Sequence, residues 1–207
     1  MDNEFFNAWT SKFKSITGLG LNETEKEEWL KRKDLERCVK YKDELIRKSP
    51  LIIFLLDHLT HLGVNIRKDA INCYDCDERK GGGFSPTHGV LLCSNRLFNL
   101  KNLEYTLAHE LLHAYDHHNF NVDWNNLKHH ACSEIRAANL SGDCKAFNEF
   151  KRGNFGFKQH HQECVRRRAI LSVSANPQCK SIEQAQSIVN LVFESCFKDT
   201  RPFDEIF

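Results

Sequence analysis

The sequence predicts a helix-rich α+β fold with a small β-sheet and several disulfides. Long segments with helical periodicity occupy most of the chain, and proline is scarce, with 4 among 207 residues. Strand-like runs are few and short, and the chain contains 9 cysteines. With 41% hydrophobic residues, a chain of this length can bury one compact core.

The first half of the chain predicts helices followed by short strands. Residues 23–49 are rich in charge with recurrent apolar positions, which is typical of one or two surface helices. Pro50 is a favourable start for a further helix, which we expect to extend to Leu62. Residues 64–66, which alternate Val, Asn and Ile, and the apolar run at residues 90–93 predict short strands.

The second half, from Leu97 onward, has a helical pattern almost to its end. The predicted breaks between helices fall at residues 120–126, 141–142, 153–156 and 176–177.

Charge and hydropathy argue against several classes of protein. The chain carries 29 Lys and Arg against 28 Asp and Glu, a formal net charge of +1. Nucleic-acid binders usually gather a basic excess on one surface, so we expect no nucleic-acid partner. The longest apolar run, residues 51–56, is far too short to span a membrane. Residues 1–6 form neither an apolar signal core nor an Arg-rich leader.

Residues 109–113 read His-Glu-Leu-Leu-His within a helical segment. On an α-helix, His109 and His113 lie one turn apart, so both imidazoles can bind the same Zn²⁺. Glu110 is rotated by about 100° and reaches the attacking water as general base. Leu107 and Leu111 lie opposite the histidines, which leaves the histidine face for chemistry. The pattern predicts a metalloendopeptidase of the zincin type with one catalytic Zn²⁺.

The domain organisation follows from the position of this motif. We assign residues 69–207 to a zincin-like metalloprotease domain and residues 1–68 to an N-terminal helical region. Since composition marks no linker between them, we expect one compact unit overall.

A catalytic zinc requires a third protein ligand, and the sequence places it on a second helix. The extended motif HExxHxxGxxH is absent, because Asp116 and Asn119 occupy the positions of its glycine and third histidine. Glu134 lies on the helix predicted around residues 129–139, far enough along for an antiparallel return. We favour Glu134, since a His₂Glu set is a known catalytic arrangement, and His130, one turn earlier, is the alternative. The weaker candidates are His117, His118 and His129.

Other polar side chains near the motif are candidates for supporting roles. Asp116 shares the histidine face and could accept a hydrogen bond from a ligand imidazole, so that Asp116→Asn would lower zinc affinity. The negative charge of the transition state also requires a hydrogen-bond donor beyond the metal. The candidate donors are Tyr115, His129 and His130, among which the sequence does not choose.

The segment upstream of the motif contains a glycine run. Residues 81–83 predict a turn, and the chain from there to residue 93 has two interpretations. It could present an exposed strand that pairs with an extended substrate, or it could form an ordinary core strand behind a flexible turn.

The cysteines also allow two interpretations. Cys73, Cys76, His88 and Cys93 could bind a structural zinc, but no second pair matches the CxxC sequence, so disulfides are preferred. Residues 132 and 144 are a candidate local bridge, and the odd total leaves at least one thiol unpaired.

Several segments together match one known pattern. They are GGF at 82–84, HELLHAYD at 109–116, VDW at 122–124, ACSEIRAANLSGDC at 131–144, KQHH at 158–161, CVR at 164–166 and FESCF at 193–197. These segments resemble the mitochondrial inner-membrane metalloprotease family that processes and helps to assemble a membrane subunit of the ATP synthase Fo sector. The resemblance covers about residues 73 to 203, and the block at 131–144 is its most specific part.

The resemblance implies a location and partners. It implies a peripheral protein on the intermembrane-space side of the mitochondrial inner membrane, where import oxidises the cysteines. It implies that the chain removes the N-terminal extension of a mitochondrially made Fo subunit and, separately from proteolysis, assists ATP synthase assembly.

Two other functions stay open. One is an assembly chaperone whose protease activity is dispensable. The other is a nuclear DNA-repair-associated metalloprotease, since a vertebrate relative in this family is described as a Ku-binding protein. The balanced charge argues against the second function.

Overall fold

Helices dominate the computed structural model, which describes residues 10–12, 14, 16–64, 66, 70–77, 80–144 and 159–204. The helices are α1 (Glu23–Lys48), α2 (Pro50–His61), α3 (Leu100–Phe120), α4 (Leu127–Leu140), α5 (Gln159–Ser174) and α6 (Ile182–Lys198). The strands are β1 (Ile71–Tyr74), β2 (Gly82–Ser85) and β3 (Gly89–Cys93). The predicted helix-rich α+β fold with a small sheet and several disulfides is confirmed.

Local sequence signals explain where the first two helices begin. Asn22 accepts a hydrogen bond from the backbone N–H of Glu25, whose carboxylate accepts one from the N–H of Asn22 in return, which forms a capping box at the start of α1. Ser49 caps α2, and Pro50 occupies its first turn, where its missing N–H costs no hydrogen bond. Both helices agree with their predicted positions.

Two hydrophobic cores meet along α4. The first core packs α1, α2 and α3 against the sheet, and the second packs α4, α5 and α6 together. Ala137 and Leu140 of α4 belong to the first core, whereas Ala131, Ile135 and Ala138 belong to the second. One helix therefore fixes the position of the second half of the molecule relative to α3.

α1 and α2, which belong to the predicted N-terminal region, share the first core with the proposed catalytic domain. Cys38 and Leu45 of α1 and Leu55 of α2 pack in the same cluster as Leu107 and Leu111 of α3. This packing brings the two regions together, and the boundary at residue 68 stays a prediction. No helix of the described residues has both the length and the apolarity needed to cross a membrane.

The sheet has the order β1-β3-β2, which makes β2 an edge strand. β1 runs parallel to β3 and β2 runs antiparallel to it, with Gly82 opposite Leu92 and Phe84 opposite Val90. The strand predicted at residues 90–93 is confirmed as part of β3. At residues 64–66, Val64 and Ile66 lie outside any strand, and residue 65 is not among the described residues.

The turn predicted at the glycine run is wrong, because Gly82 and Gly83 belong to β2. Packing explains the glycine at position 82. A Cβ atom there would lie 2.7 Å from the carbonyl oxygen of Leu91 and 3.0 Å from Cγ2 of Thr106 on α3. Glycine therefore permits β2 to lie directly on the helix that carries the histidines. Of the predicted helix breaks, that at residues 153–156 lies outside the described residues.

Four disulfides support the two cores. Their pairs are Cys38–Cys73, Cys76–Cys93, Cys132–Cys196 and Cys144–Cys164. The structural zinc alternative is therefore wrong, since its three thiols are oxidised, and Cys179 keeps a free thiol. The local bridge predicted between residues 132 and 144 is also wrong. The first of these cysteines lies on α4 and bonds to α6, whereas the second follows α4 and bonds to α5.

Candidate active site

α3 presents one apolar face to the core and one polar face to a cleft. Leu103, Leu107 and Leu111 are fully buried in the first core. His109 and His113 lie on the opposite side, and both line the cleft. This arrangement follows from the helical period, which separates the leucine and histidine positions around the axis.

The structure brings His109, His113 and Glu134 together. The two Nε2 atoms are 3.1 Å apart. The Glu134 oxygens lie 3.4 Å from His109 Nε2 and 3.3 Å from His113 Nε2. One ligand atom from each residue lies within 4.8 Å of the others. Two imidazoles and a carboxylate that face a single point form a donor set that fits a metal ion such as zinc.

The electrostatics of this group also favour a bound cation. Although burial acts to raise it, contacts with His113, His109 and His130 hold the pKa of Glu134 well below its usual value. Burial acts to lower the pKa of His113, but the nearby carboxylates, led by that of Glu134, raise it to about 9. The site thus attracts positive charge, and a metal ion that binds there displaces a proton from the imidazole.

Ser133 orients the imidazole of His113. Its Oγ lies 2.8 Å from His113 Nδ1. When the serine oxygen accepts from Nδ1–H of His113, Nε2 keeps its lone pair for a metal. Asp116, which the sequence favoured for this supporting role, acts on His113 through its charge and helps to raise the pKa of that imidazole. Sequence reasoning missed Ser133, although its place directly before Glu134 was an available signal.

A fully buried arginine holds Asp116 in turn. Arg136 Nε lies 3.0 and 3.2 Å from the two carboxylate oxygens of Asp116. Its Nη1 donates to the backbone oxygen of Asp199 at 2.7 Å, and its Nη2 donates to the backbone oxygen of Arg201. Burial raises the pKa of Asp116 above its usual value, while Arg136 and Ser133 act to lower it. Arg136 therefore connects Asp116, which lies behind His113, to the segment after α6.

Glu134 has its own supports on the opposite side. Ser172 of α5 donates to Oε1 of Glu134 at 2.6 Å, and His130 Nε2 lies 3.4 Å from the same oxygen. Sequence reasoning did not identify Ser172, because no local pattern relates it to a carboxylate 38 residues earlier. The close packing of α5 on α4 creates this contact.

Glu110 lies beside the metal-binding group without belonging to it. Its side chain lines the cleft, and burial raises the pKa of its carboxyl above the usual value. A raised pKa makes this carboxylate a better proton acceptor near neutral pH. Gly82 of β2 lies over it, since a Cβ at that position would be 3.3 Å from Glu110 Cγ.

The cleft has a volume of about 1290 Å³ and is large enough for several residues of a peptide. Its walls are residues 80–84 at β2, the histidine face of α3 and the chain at the end of α5. Trp124 forms part of one wall, with its ring edge-on to His113 at 5.7 Å between centroids. The Trp124 indole N–H donates to His117 Nδ1 at 3.3 Å, which fixes the ring.

The remaining candidates from the sequence lie outside the cleft. Tyr115 is buried in the first core, with its ring 6.0 Å from that of Phe120. His129 is exposed and accepts a hydrogen bond from the backbone N–H of Asp123 at 3.2 Å. His117 is held by the tryptophan, and His118 is exposed. Of the three donor candidates, the structure brings only His130 to the site.

Comparisons with known proteins cover the whole of this site. A family model described as the Peptidase M76 family matches residues 36–204. The mitochondrial inner membrane protease ATP23 of Coccidioides immitis is 55% identical over 178 residues, which are 85% of this chain and 75% of the relative. That of Meyerozyma guilliermondii is 50% identical over 212 residues, with 98% and 87% covered.

A shorter relative agrees with these matches. The mitochondrial inner membrane protease atp23 of Schizosaccharomyces pombe is 51% identical over 176 residues, which are 84% of this chain and 95% of the relative. No solved structure matches the chain. The match to the family model includes all of α3, α4, α5 and α6, so every side chain of the candidate active site lies within it.

Proposed function

Because the chain belongs to the Peptidase M76 family and is a metalloprotease of the mitochondrial inner membrane, we propose that it is a zinc-dependent endopeptidase that processes an ATP synthase Fo subunit. In this proposal His109, His113 and Glu134 bind one zinc ion. The convergence of their three ligand atoms within 4.8 Å carries the proposal. The comparisons confirm the resemblance to this family that was inferred from the sequence.

In the proposed mechanism Glu110 is the general base. The metal, when bound, polarises the scissile carbonyl and makes water more acidic. Glu110 accepts a proton from the attacking water as the water oxygen bonds to the carbonyl carbon, and later passes a proton to the leaving amine. Its burial supports this role, since a buried carboxylate is a stronger base than an exposed one.

We further propose that β2 binds the substrate as an additional strand. β2 is one of the two edge strands of the sheet, and it lines the cleft beside Glu110. An extended peptide could therefore pair with its open edge, as the sequence suggested for this segment. The pairing would hold the scissile carbonyl close to the carboxylate while leaving the side chains free to contact the walls.

The substrate and the place of action follow from the family resemblance. The relatives are named as mitochondrial inner membrane proteases. We therefore propose that the chain acts on the intermembrane-space side as a peripheral protein. Its substrate would be the N-terminal extension of a mitochondrially made Fo subunit, and a separate assembly role would accompany the cleavage.

The test compares the oxidised wild-type protein with Glu110→Gln and a matched control. Glu194→Gln makes the same chemical change on the exposed side of α6, where Glu194 pairs with Lys198. Zinc content is measured for all three proteins, and cleavage of the purified Fo-subunit precursor is followed by mass spectrometry. We expect one zinc per chain throughout, and cleavage by the wild type and the control alone.

Two results would contradict the proposal. Wild-type protein without zinc would remove the metal assignment, and cleavage by Glu110→Gln at the wild-type rate would remove the general base. In cells, Glu110→Gln also separates the two roles. ATP synthase that still assembles with an unprocessed subunit would show an assembly activity that does not need proteolysis.

A further inference from the structure

The side-chain amide of Asn176, in the connection between α5 and α6, has a fixed orientation. Its Oδ1 accepts from the backbone N–H of Gln178 at 2.9 Å. Its Nδ2 donates to the backbone carbonyl of Trp124 at 3.1 Å. A backbone N–H can only donate and a carbonyl can only accept, so these two contacts distinguish the oxygen from the nitrogen.

This orientation determines the tautomer of His130. The ring Nδ1 lies 3.0 Å from the same Nδ2 of Asn176. Since the amide nitrogen is a donor, Nδ1 must accept, and the ring proton of the neutral imidazole resides on Nε2. The ring of Trp124 also packs against His130, with the planes at 73° and the centroids 6.0 Å apart. Two independent contacts therefore hold the ring in place.

The Nε2–H of His130 points to the catalytic centre, where it makes only a long, weak contact. Its nearest described partner at the centre is Oε1 of Glu134 at 3.4 Å, longer than a normal N–H···O hydrogen bond. That oxygen already accepts from Ser172 at 2.6 Å. His130 shares the cleft wall with His109 and Glu110. With a proton on Nε2 and a donor against Nδ1, the ring has no lone pair free for a metal.

We infer that His130 is a catalytic residue that stabilises the transition state of peptide hydrolysis through its Nε2–H; this inference rests on the proposed protease mechanism. As the water oxygen bonds to the carbonyl carbon, the π electron pair moves to the carbonyl oxygen. The water proton goes to Glu110. The carbonyl oxygen, now negatively charged, accepts the Nε2–H hydrogen bond, and His130 keeps its proton throughout.

The first experiment measures what His130→Ala does to zinc-loaded protein. A peptide that spans the processing site is the substrate, and a phosphinic analogue of the same peptide is the transition-state probe. Removal of one such donor lowers kcat by about 10²–10³-fold, so we expect a loss of that size. The dissociation constant of the phosphinic peptide should rise by a comparable factor, while KM and zinc content stay unchanged. His130→Gln should recover part of kcat, since its amide N–H can also donate.

His129→Ala is the matched control, because His129 is the exposed neighbour outside the cleft. It should retain wild-type kinetics and inhibitor binding. Histidine ¹⁵N chemical shifts of the zinc-loaded wild-type protein test the tautomer without any substitution, and Nε2 should carry the proton of His130.

Three results would overturn this role of His130 without by themselves contradicting the protease proposal. They are an Nδ1-protonated His130, loss of zinc in His130→Gln, and unchanged kcat in folded His130→Ala. If kcat is unchanged in that variant while Glu110→Gln is inactive, only this inference fails. If Glu110→Gln is fully active, the proposed mechanism itself fails.

Discussion

Adding one methyl group at position 82 should displace parts of the site without changing any of its catalytic side chains. In Gly82→Ala the new Cβ would meet the carbonyl oxygen of Leu91 at 2.7 Å, whereas ordinary contact begins at 3.4 Å. Relief requires a displacement of about 0.7 Å, the difference between these two distances. Thr106 Cγ2 at 3.0 Å and Glu110 Cγ at 3.3 Å, both on α3, would also be too close, so we expect the displacement to fall on β2 and α3.

The expected cost follows from that displacement. A misplacement of about 1 Å can reduce catalysis about 10²-fold, so we expect kcat to fall by about 10–100-fold. Overpacking of this kind also lowers the free energy of unfolding by about 1–3 kcal/mol. The assay measures kcat and KM on the precursor peptide, zinc content, and denaturant unfolding with the disulfides intact.

Gly83→Ala provides the matched control, because a Cβ at position 83 would meet nothing within 4 Å. This variant adds the same methyl group one residue along the same strand and should keep kcat, zinc content and the free energy of unfolding near those of the wild type. Because Gly83 lines the cleft, any effect on substrate contact should appear in KM. Equal kcat values for the two alanine variants would refute the reasoning, as would a Gly82→Ala protein that loses only zinc. The first result would mean that β2 does not fix the position of Glu110.

Two further predictions concern Ser133 and Arg136, which lie behind His113. Ser133→Ala should weaken zinc binding about 10–100-fold, because His113 Nδ1 loses its partner, and competition with a chelator of known affinity measures this change. Unchanged affinity would remove the positioning role. Arg136→Leu should lower the free energy of unfolding by about 3–5 kcal/mol, because the buried carboxylate of Asp116 loses its counter-ion. Adding Asp116→Asn should recover part of that loss in denaturant unfolding, and an additive double variant would contradict the explanation.

The central helix of the site could be predicted because one segment contains both signals. The leucines at 103, 107 and 111 predict a buried face, and the histidines at 109 and 113 fall opposite it by the helical period. Glu134 was favoured from its distance along the chain and because a His₂Glu set is a known catalytic arrangement. The structure brings it within 3.4 Å of both histidines, although its role as ligand stays a prediction.

The supporting residues were harder to predict, because tertiary packing creates their contacts. Ser172 and Asn176 reach the site because α5 packs on α4. No periodicity in the sequence encodes that contact. The same limit explains the errors in disulfide pairing. The sequence shows that residues 132 and 144 are close along the chain, but α4 carries the first toward α6.

The glycine run shows that the same residue type can be required for two different physical reasons. Glycines suggest a turn when only their conformational freedom is considered. At position 82 the decisive property is instead the missing Cβ, which allows β2 to approach Leu91 and α3 closely. That property depends on a neighbour about 24 residues later in the chain, so local reasoning could not find it.

The four disulfides fall into two separate stretches of the chain. The pairs 38–73 and 76–93 close inside the first 93 residues, and the pairs 132–196 and 144–164 close beyond residue 131. None of these four bonds joins one stretch to the other. A chain that emerges from a membrane pore in sequence order could therefore complete the first pair of crosslinks before the cysteines of the second pair arrive. Fewer wrong pairings are available within one stretch than within the whole chain, because four cysteines allow 3 pairings and eight allow 105. Cys179 adds one further thiol to the second stretch.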